Sequence, residues 1–457
     1  MDPALAVVLA VIGAGCVVVF AGFAIASARE GERRATRVSL LFAVGGAVVF
    51  ALAIAAPLGV REIVLVCVAV AAVAGAALFF WPIGKVEAGP RVPEAQIDER
   101  DTMFSRFDVL APGTPPYEAY YAAHPEKKSS DDRTRTLPGL MSPDALLANP
   151  LPFAAAGASF HFTMALAGEL DGPPAADPEP VDPISMTAYV KALARYWGAR
   201  SVGITRLQPY HLYSHVGMDS ARYGEPVSND HSLAIAFTME MDFALMGSAP
   251  EATTVMESAR EYGEGAKIAL QLAYFIRSLG YSARAHMVDH YDMLAPLVAR
   301  DAGLGEIGRH GLLITPELGT RVRLGVVTTD IPLQADPWRS DPAVLDFCTI
   351  CKKCATNCPS NSIPLDDRQM IAGALRWRID PETCYRYWCS VGTDCGRCMA
   401  VCPYSHPDTV WHDAVRALGT RSGAARRVAF RLDDLFYGRK PAPRPAPSWI
   451  PARKPRR

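Results

Sequence analysis

The sequence predicts an α/β or α+β body set between a run of membrane helices and a cysteine-rich segment. Three observations carry that expectation. Apolar residues make up 50% of the chain and crowd into its first eighty-odd positions. Helical and strand-like periods then alternate from position 185 to position 329. Nine of the eleven cysteines fall between positions 348 and 402. The boundaries that follow are 1–85 for the membrane helices, 86–180 for a linker and N-terminal wrap, and 181–340 for the core. A cysteine-rich domain occupies 341–410, and a basic, Pro-rich tail occupies 411–457.

Three uncharged apolar runs, 4–26, 38–60 and 63–84, each reach the roughly 20 residues that cross a bilayer as a helix. A signal peptide or buried core helix is the alternative. Three full-length runs in succession, with no small-residue cleavage site in a polar flank, argue against it. Arg29, Arg33, Arg34 and Arg37 lie between the first two runs, and only Arg61 between the second and third. The positive-inside rule therefore places that first loop, and everything after Lys85, on the cytoplasmic side, with the N-terminus outside. Arg33-Arg34 follows an apolar run instead of preceding one, so it does not read as a twin-arginine signal. The runs hold no histidine and no charge, so neither haem ligation nor a proton path is expected in them. They read as an anchor in lipid and a docking surface for an electron donor. Cys16 and Cys67, alone in these runs, read as small apolar residues.

Residues 86–180 are rich in Pro, Asp and Glu and read as a linker followed by a partly irregular wrap. Positions 185–197 have helical spacing through Met186, Tyr189, Val190, Leu193 and Trp197, and Gly198 ends the run. Strand-like 201–205 follows, then a second strand at 233–239. A long helix over 257–279 sets Ala266, Ala269, Leu270, Ala273 and Ile276 on one side and closes at Gly280. Strand-like 281–287, a short helix reaching Ala302 and a strand over 322–329 complete the body. From 416 to 457 twelve Lys/Arg stand against two Asp. Such a tail suits anionic headgroups or plain solvated disorder equally.

On the cytoplasmic side disulfides are not expected, so crowded cysteines point to metal or cluster ligation. Cys348, Cys351, Cys354 and Cys358-Pro359 form C-x2-C-x2-C-x3-C-P, the bacterial ferredoxin run. In it three close thiolates bind one [4Fe–4S] cube and the fourth binds a second cube. Cys395, Cys398 and Cys402-Pro403 repeat the closing half, so the missing ligand comes from upstream, either Cys384 or Cys389. The assignment taken is Cys348, Cys351, Cys354 and Cys402 on one cluster and Cys358, Cys384, Cys395 and Cys398 on the other. Zinc is the alternative, but paired zinc sites do not predict two C-x2-C-x3-C-P endings.

The region ahead of the clusters reads Tyr262-Gly-Glu-Gly, then Phe275-Ile-Arg-Ser-Leu-Gly-Tyr281, then Ala302-Gly-Leu-Gly-Glu-Ile-Gly-Arg309 and onward through Arg321-Val-Arg323. With the cluster runs, and with Asp98-Glu-Arg-Asp-Thr-Met-Phe104 in the wrap, this resembles the reductive dehalogenases from about 86 to 411. The resemblance implies a nitroreductase-like core that holds cobalamin base-off, followed by the ferredoxin-like two-cluster domain. It implies an oxidoreductase that removes halogen from an organohalide with electrons from a low-potential donor, either a ferredoxin, a flavodoxin or a membrane redox partner. No nucleic acid is expected as a partner. By position the proton donor looks like Tyr262 and the cation beside it like Arg321. A phenol acts as acid near neutral pH only where a fixed cation stabilises its anion, and arginine stays charged in a dry site. A core tyrosine and a surface strand arginine are the ordinary alternatives. Gly303 and Gly305 are candidates for close approach to the corrin, or plain turn glycines. No histidine, including His286, His290 and His310, is taken as a cobalt ligand.

Asp289 departs from the family, whose respiratory members place an asparagine there. The sister family, the epoxyqueuosine reductases, is similar in having a catalytic aspartate at that place. Asp289 is therefore a candidate second proton donor or a loop carboxylate. Reduction of a non-halogenated substrate and a non-catalytic, membrane-bound electron-transfer protein are the competing functions. Three membrane helices suit neither a soluble tRNA-modifying enzyme nor the respiratory pattern of a separate membrane partner.

Overall fold

The computed structural model describes residues 3–80, 87–338, 340–451 and 453. It divides into two compact units: Met1–Glu87 with Asp346–Cys351 and Asp408–Ala442, and Ala88–Leu345 with Lys352–Pro407 and Pro443–Arg457. The three apolar runs form α1 (Pro3–Arg29), α2 (Arg33–Ala55) and α3 (Leu58–Phe80). The end of the third run, 81–84, lies outside the described residues.

In the second unit the wrap is more regular than its composition predicts. It contains α4 (Pro115–Ala123), α5 (Pro125–Arg135) and α6 (Pro150–Ala165). Each starts with proline at a first helical position, where the missing N–H is no loss. α6 buries Phe153, Ala156 and Thr163, spaced on one helical face. With its following turn it is a fourth helix, Pro150–Glu169, long and apolar enough to cross a bilayer, yet that face is buried in the body.

The core then runs α7 (Pro183–Tyr196), β1 (Ser201–Arg206), β2 (Leu233–Glu240), α8 (Phe243–Gly247), α9 (Thr253–Ser278) and β3 (Ala283–His286). It continues through α10 (Ala295–Asp301), the two-residue strands β4 (Glu306–Ile307) and β5 (Leu313–Ile314), and β6 (Val322–Thr329). Strand order is β1-β2-β6-β3 and every pairing is antiparallel, so the body is α+β. Alternation along a strand sorts the two faces. Leu233, Ile235, Phe237 and Met239 of β2 meet Ile268, Leu272 and Ile276 of α9. Ala234 and Ala236 turn the other way, toward Val298 and Ala299 of α10. On β6, Val327 belongs to the α9 side and Val326 to the α10 side. The same parity sends Arg323 toward α9.

α11 (Pro342–Cys351) and α12 (Lys353–Thr356) open the cysteine-rich segment, followed by the hairpin β7 (Gln369–Ile371) and β8 (Ala374–Arg376). α13 (Pro381–Val391) and α14 (Arg397–Ala400) complete it.

The basic tail is structured, contrary to a solvated-disorder reading. α15 (Val410–Arg421) and α16 (Gly423–Tyr437) fold into the first unit. Phe23 of α1 meets Trp411 and Phe436 with ring centroids 5.8 and 5.3 Å apart, and His412 pairs with Glu30 at 3.2 Å. α1 and α2 approach closely because small residues face each other; a Cβ on Gly46 would stand 2.9 Å from Cys16 Sγ. Beyond α16 the chain joins the second unit. There the Arg444 guanidinium lies 3.6 Å from the Phe243 ring centroid and its backbone N–H donates to Gly247 O at 2.9 Å.

Candidate active site

Tyr262 lies in the first half of α9, and Arg323 on β6 points at it. Arg323 Nη1 donates to Tyr262 Oη at 3.1 Å, and its guanidinium sits 4.6 Å from the ring centroid. Arg323 Nη2 reaches Ser258 Oγ and also Asp394 Oδ2, the latter at 3.1 Å. Ser258 Oγ donates to the same carboxylate oxygen. Burial alone would lower the Arg323 pKa, but Tyr262, Asp394 and Tyr291 around it outweigh that and raise it, so the side chain stays charged. Phe160 of α6 covers the phenol, with ring centroids 6.1 Å apart.

Arg321, the expected cation, serves elsewhere. Its Nη1 donates to Glu240 Oε1 at 2.7 Å and its Nε to Ser405 O at 3.3 Å. Residues two apart on a strand stand about 6.6 Å apart, so one arginine reaches the phenol and the other the strand end. Arg321 instead helps hold the turn after Cys402, where a Cβ on Gly319 would strike Tyr404 backbone at 2.3 Å. Strand parity is the same for both arginines and pointed to the pair, so only the fold decides which of them meets the phenol.

Asp289 comes from the loop after β3, with φ 64, and Asp292 follows at φ 54. Left-handed backbone is tolerated by Asp better than by most residues. The loop is pinned by His286 Nδ1 to Tyr291 O at 2.6 Å and by an Arg284–Asp292 ion pair at 2.5 Å. Burial raises the Asp289 pKa, opposed by His290. Asp289 in turn, after burial, helps push Asp108 up to about 6. Burial first, then Tyr262, raises the Tyr291 pKa, Arg323 opposes that and Asp289 adds to it, and Tyr291 Oη donates to Leu324 O at 3.4 Å. The structure brings Tyr262 and Arg323 into contact.

Gly303 and Gly305 have backbone roles. Gly303 has φ 79 just past α10, and a Cβ on Gly305 would stand 2.2 Å from Ile314 O.

The two cysteine runs share a local design. Lys352 follows Cys351 with φ 53, and Gly396 follows Cys395 with φ 60; each opens a four-residue helix, α12 or α14, that carries the next cysteine. Burial pushes the Cys384 thiol up to about 11 and Cys395 up to about 12, and raises Cys398 well above its ordinary value. Charge on Cys358 raises all three further, and Cys384 raises both Cys395 and Cys398. These mutual effects place Cys358, Cys384, Cys395 and Cys398 within electrostatic reach of one another, and a cation nearby would favour their thiolates, although among the described residues no group of three or more such side chains is already set to hold a metal ion. Cys389 packs instead with Met103 and Tyr385. For a second ligand, Arg323 Nε and Asp394 Oδ1 are buried without a hydrogen bond, leaving a donor and an acceptor that fit an amide-bearing group such as a corrin.

The 4Fe–4S dicluster domain family matches residues 347–406. The tetrachloroethene reductive dehalogenase of Sulfurospirillum multivorans is 33% identical over 298 residues, 58% of this chain and 59% of that one. An epoxyqueuosine reductase of Synechococcus is 36% identical over 171 residues, 31% of this chain and 52% of that one. A solved reductive dehalogenase, whose structure suggests a mechanism for B12-dependent dehalogenation, matches with TM-score 0.62 at 26% identity, over 78% of this chain and 49% of that one. The chain therefore spans less than two thirds of the length of these relatives. With its dicluster domain, its helix-and-sheet body and this set of relatives, the chain is similar to the reductive dehalogenases.

Proposed function

We propose that this protein removes halogen from an organohalide by a two-electron reduction, R–X + 2 e⁻ + H⁺ → R–H + X⁻, in a nitroreductase-like core at the cytoplasmic face of a bacterial inner membrane. α1–α3 anchor it in lipid, and a low-potential ferredoxin, flavodoxin or membrane donor supplies the electrons. The observation that carries the reading is the Arg323–Tyr262 contact at 3.1 Å, in a chain similar to the reductive dehalogenases that also carries a dicluster domain. Cys348, Cys351, Cys354 and Cys402 hold one [4Fe–4S] cluster, and Cys358, Cys384, Cys395 and Cys398 the other. A bound corrinoid, with Arg323 Nε and Asp394 Oδ1 as groups that could meet its amides, would supply the metal chemistry for carbon–halogen cleavage; the family resemblance points to its base-off form. His286 is no ligand to it, because both its ring nitrogens are engaged, with Tyr291 O and Thr328 Oγ1.

Tyr262 delivers the proton from Oη to carbon as halide departs. Arg323 stabilises the phenolate that remains, which is the developing charge a fixed cation opposes best. Asp289, whose pKa burial raises, is the candidate for a second acid or for restoring the Tyr262 proton. Reduction of a non-halogenated substrate is the second reading, favoured by the aspartate at 289. Halide release and epoxide loss, measured with a low-potential donor on wild type and Tyr262→Phe, decide the matter. Halide release by wild type that Tyr262→Phe loses, with cofactors retained, is expected. Epoxide loss without halide release overturns the dehalogenase reading, and full turnover in the variant overturns the proton-donor role.

A further inference from the structure

We infer that Asp394 and Ser258 are positioning residues that hold the Arg323 guanidinium against the Tyr262 phenol and temper its charge. The inference rests on Tyr262 as proton donor and concerns how its partner cation is set.

Ser258 and Tyr262 are four residues apart on α9 and so share one face. Arg323 bridges them: Nη1 meets Tyr262 Oη at 3.1 Å while Nη2 meets Ser258 Oγ and Asp394 Oδ2. Ser258 Oγ donates to that same oxygen, which closes a three-membered ring of polar groups. A guanidinium is planar, so pinning one nitrogen and laying the group over a ring fixes where the other nitrogen points. The carboxylate arrives on a short, braced loop. Thr393 Oγ1 accepts from Val255 N of α9 at 3.2 Å, and a Cβ on Gly396 would press Thr254 Cγ2 at 2.6 Å. Asp394 immediately precedes Cys395, so the loop that carries a cluster cysteine also carries the anchor of the proton donor's cation.

Charge gives the pairing its consequence. Arg323 from β6 donates to the Tyr262 oxygen, Asp394 from the cluster loop pairs with that arginine, Tyr291 from the loop after β3 acts on both Tyr262 and Arg323, and Glu261 of α9 acts on Arg323. Arg323 is the cation of that set nearest the phenol. An anion on its far side weakens its pull on the phenol. Removing that anion leaves a fuller positive charge on the phenol and makes it more acidic, by about one pH unit for a charge several ångströms off at protein-like dielectric.

The test places 3-fluorotyrosine at position 262 of the full-length, cluster-loaded chain and follows its fluorine resonance against pH. It also follows the alkaline limb of kcat. Asp394→Asn is expected to move both downward by about one pH unit with KM within about twofold, and Asp394→Glu to restore most of the shift. A residue that only stabilises the fold would lower the amount of active protein without moving either midpoint. If Asp394→Asn does not assemble its cluster, Ser258→Ala carries the test, with a smaller displacement expected in the opposite direction, because it loosens the hold on Arg323 while leaving the carboxylate in place. Midpoints unchanged from wild type overturn the inference. The fluorine titration reads the phenol whether or not it is the proton donor, so failure of that role, seen as retained turnover in Tyr262→Phe, is separately visible.

Discussion

Arg321 stands just before β6 and Arg323 two residues on within it, and that displacement decides which of them meets the phenol. Arg323→Met should lower kcat by about two to three orders of magnitude, the cost of losing a fixed charge at a developing anion, with little change in KM. Arg321→Met should instead lower Tm, because it frees Glu240 and loosens the turn after Cys402, and leave the pH dependence of kcat unchanged. Steady-state kinetics and melting of the two variants check this; equal losses of kcat would contradict it. Tyr262 and the cluster cysteines were legible in the sequence because their spacing is local. Asp394 was not, because it stands 136 residues from Ser258 and only folding brings them together. Arg323 lay between these extremes: its parity on a strand pointed inward, but two arginines in the same run left the choice to geometry.

At the scale of elements, α9 ties the sheet, the phenol and the cluster loop together. The sequence marked its apolar side, but it begins at Thr253, one turn earlier than the expected 257, and that added turn braces Thr393 and Gly396. α6 was hidden because its stretch was judged with its Pro- and Asp-rich neighbours, although Pro150 marks a helix start and Phe153, Ala156 and Thr163 keep helical spacing. On α9, burial raises Glu261 from 4.5 to about 7; Arg260 opposes that, and Glu257 and Glu264 add to it. A carboxyl whose folded pKa is raised stabilises the fold below its unfolded value and loses that contribution as pH rises through the folded one. Glu261→Gln should therefore match wild type in Tm near about pH 5 and exceed it near about pH 8. A gap that is the same at both pH values would contradict this. Gly305→Ala should cost about 1–3 kcal/mol by overpacking against Ile314 O, measured by denaturant unfolding, if its role is packing. In the cluster segment, Cys384→Ser should lose iron while Cys389→Ser keeps about eight irons per chain. Iron and sulfide analysis of both variants checks the choice between them.

For the whole molecule, the three apolar runs were legible because length and the absence of charge suffice to recognise a candidate span. The tail was not, because counting its cations says nothing of where their faces and donors dock. Arg444 stacks on Phe243, and α15 and α16 pack with α1 and α2 through Phe23, Trp411, Phe42 and Phe436. A fluorescent reporter fused to the C-terminus should light up inside the cell, as the arginines between α1 and α2 require; a periplasmic signal would reverse the topology. The central claim is that iron–sulfur clusters deliver electrons to a corrinoid enclosed by the α+β body. Cobalt, iron and ultraviolet–visible analysis of anaerobically purified, reconstituted protein tests it most directly. About one cobalt and about eight irons per chain are expected, with both chromophores visible. Iron and sulfide in full, with no uptake of corrinoid, would contradict it.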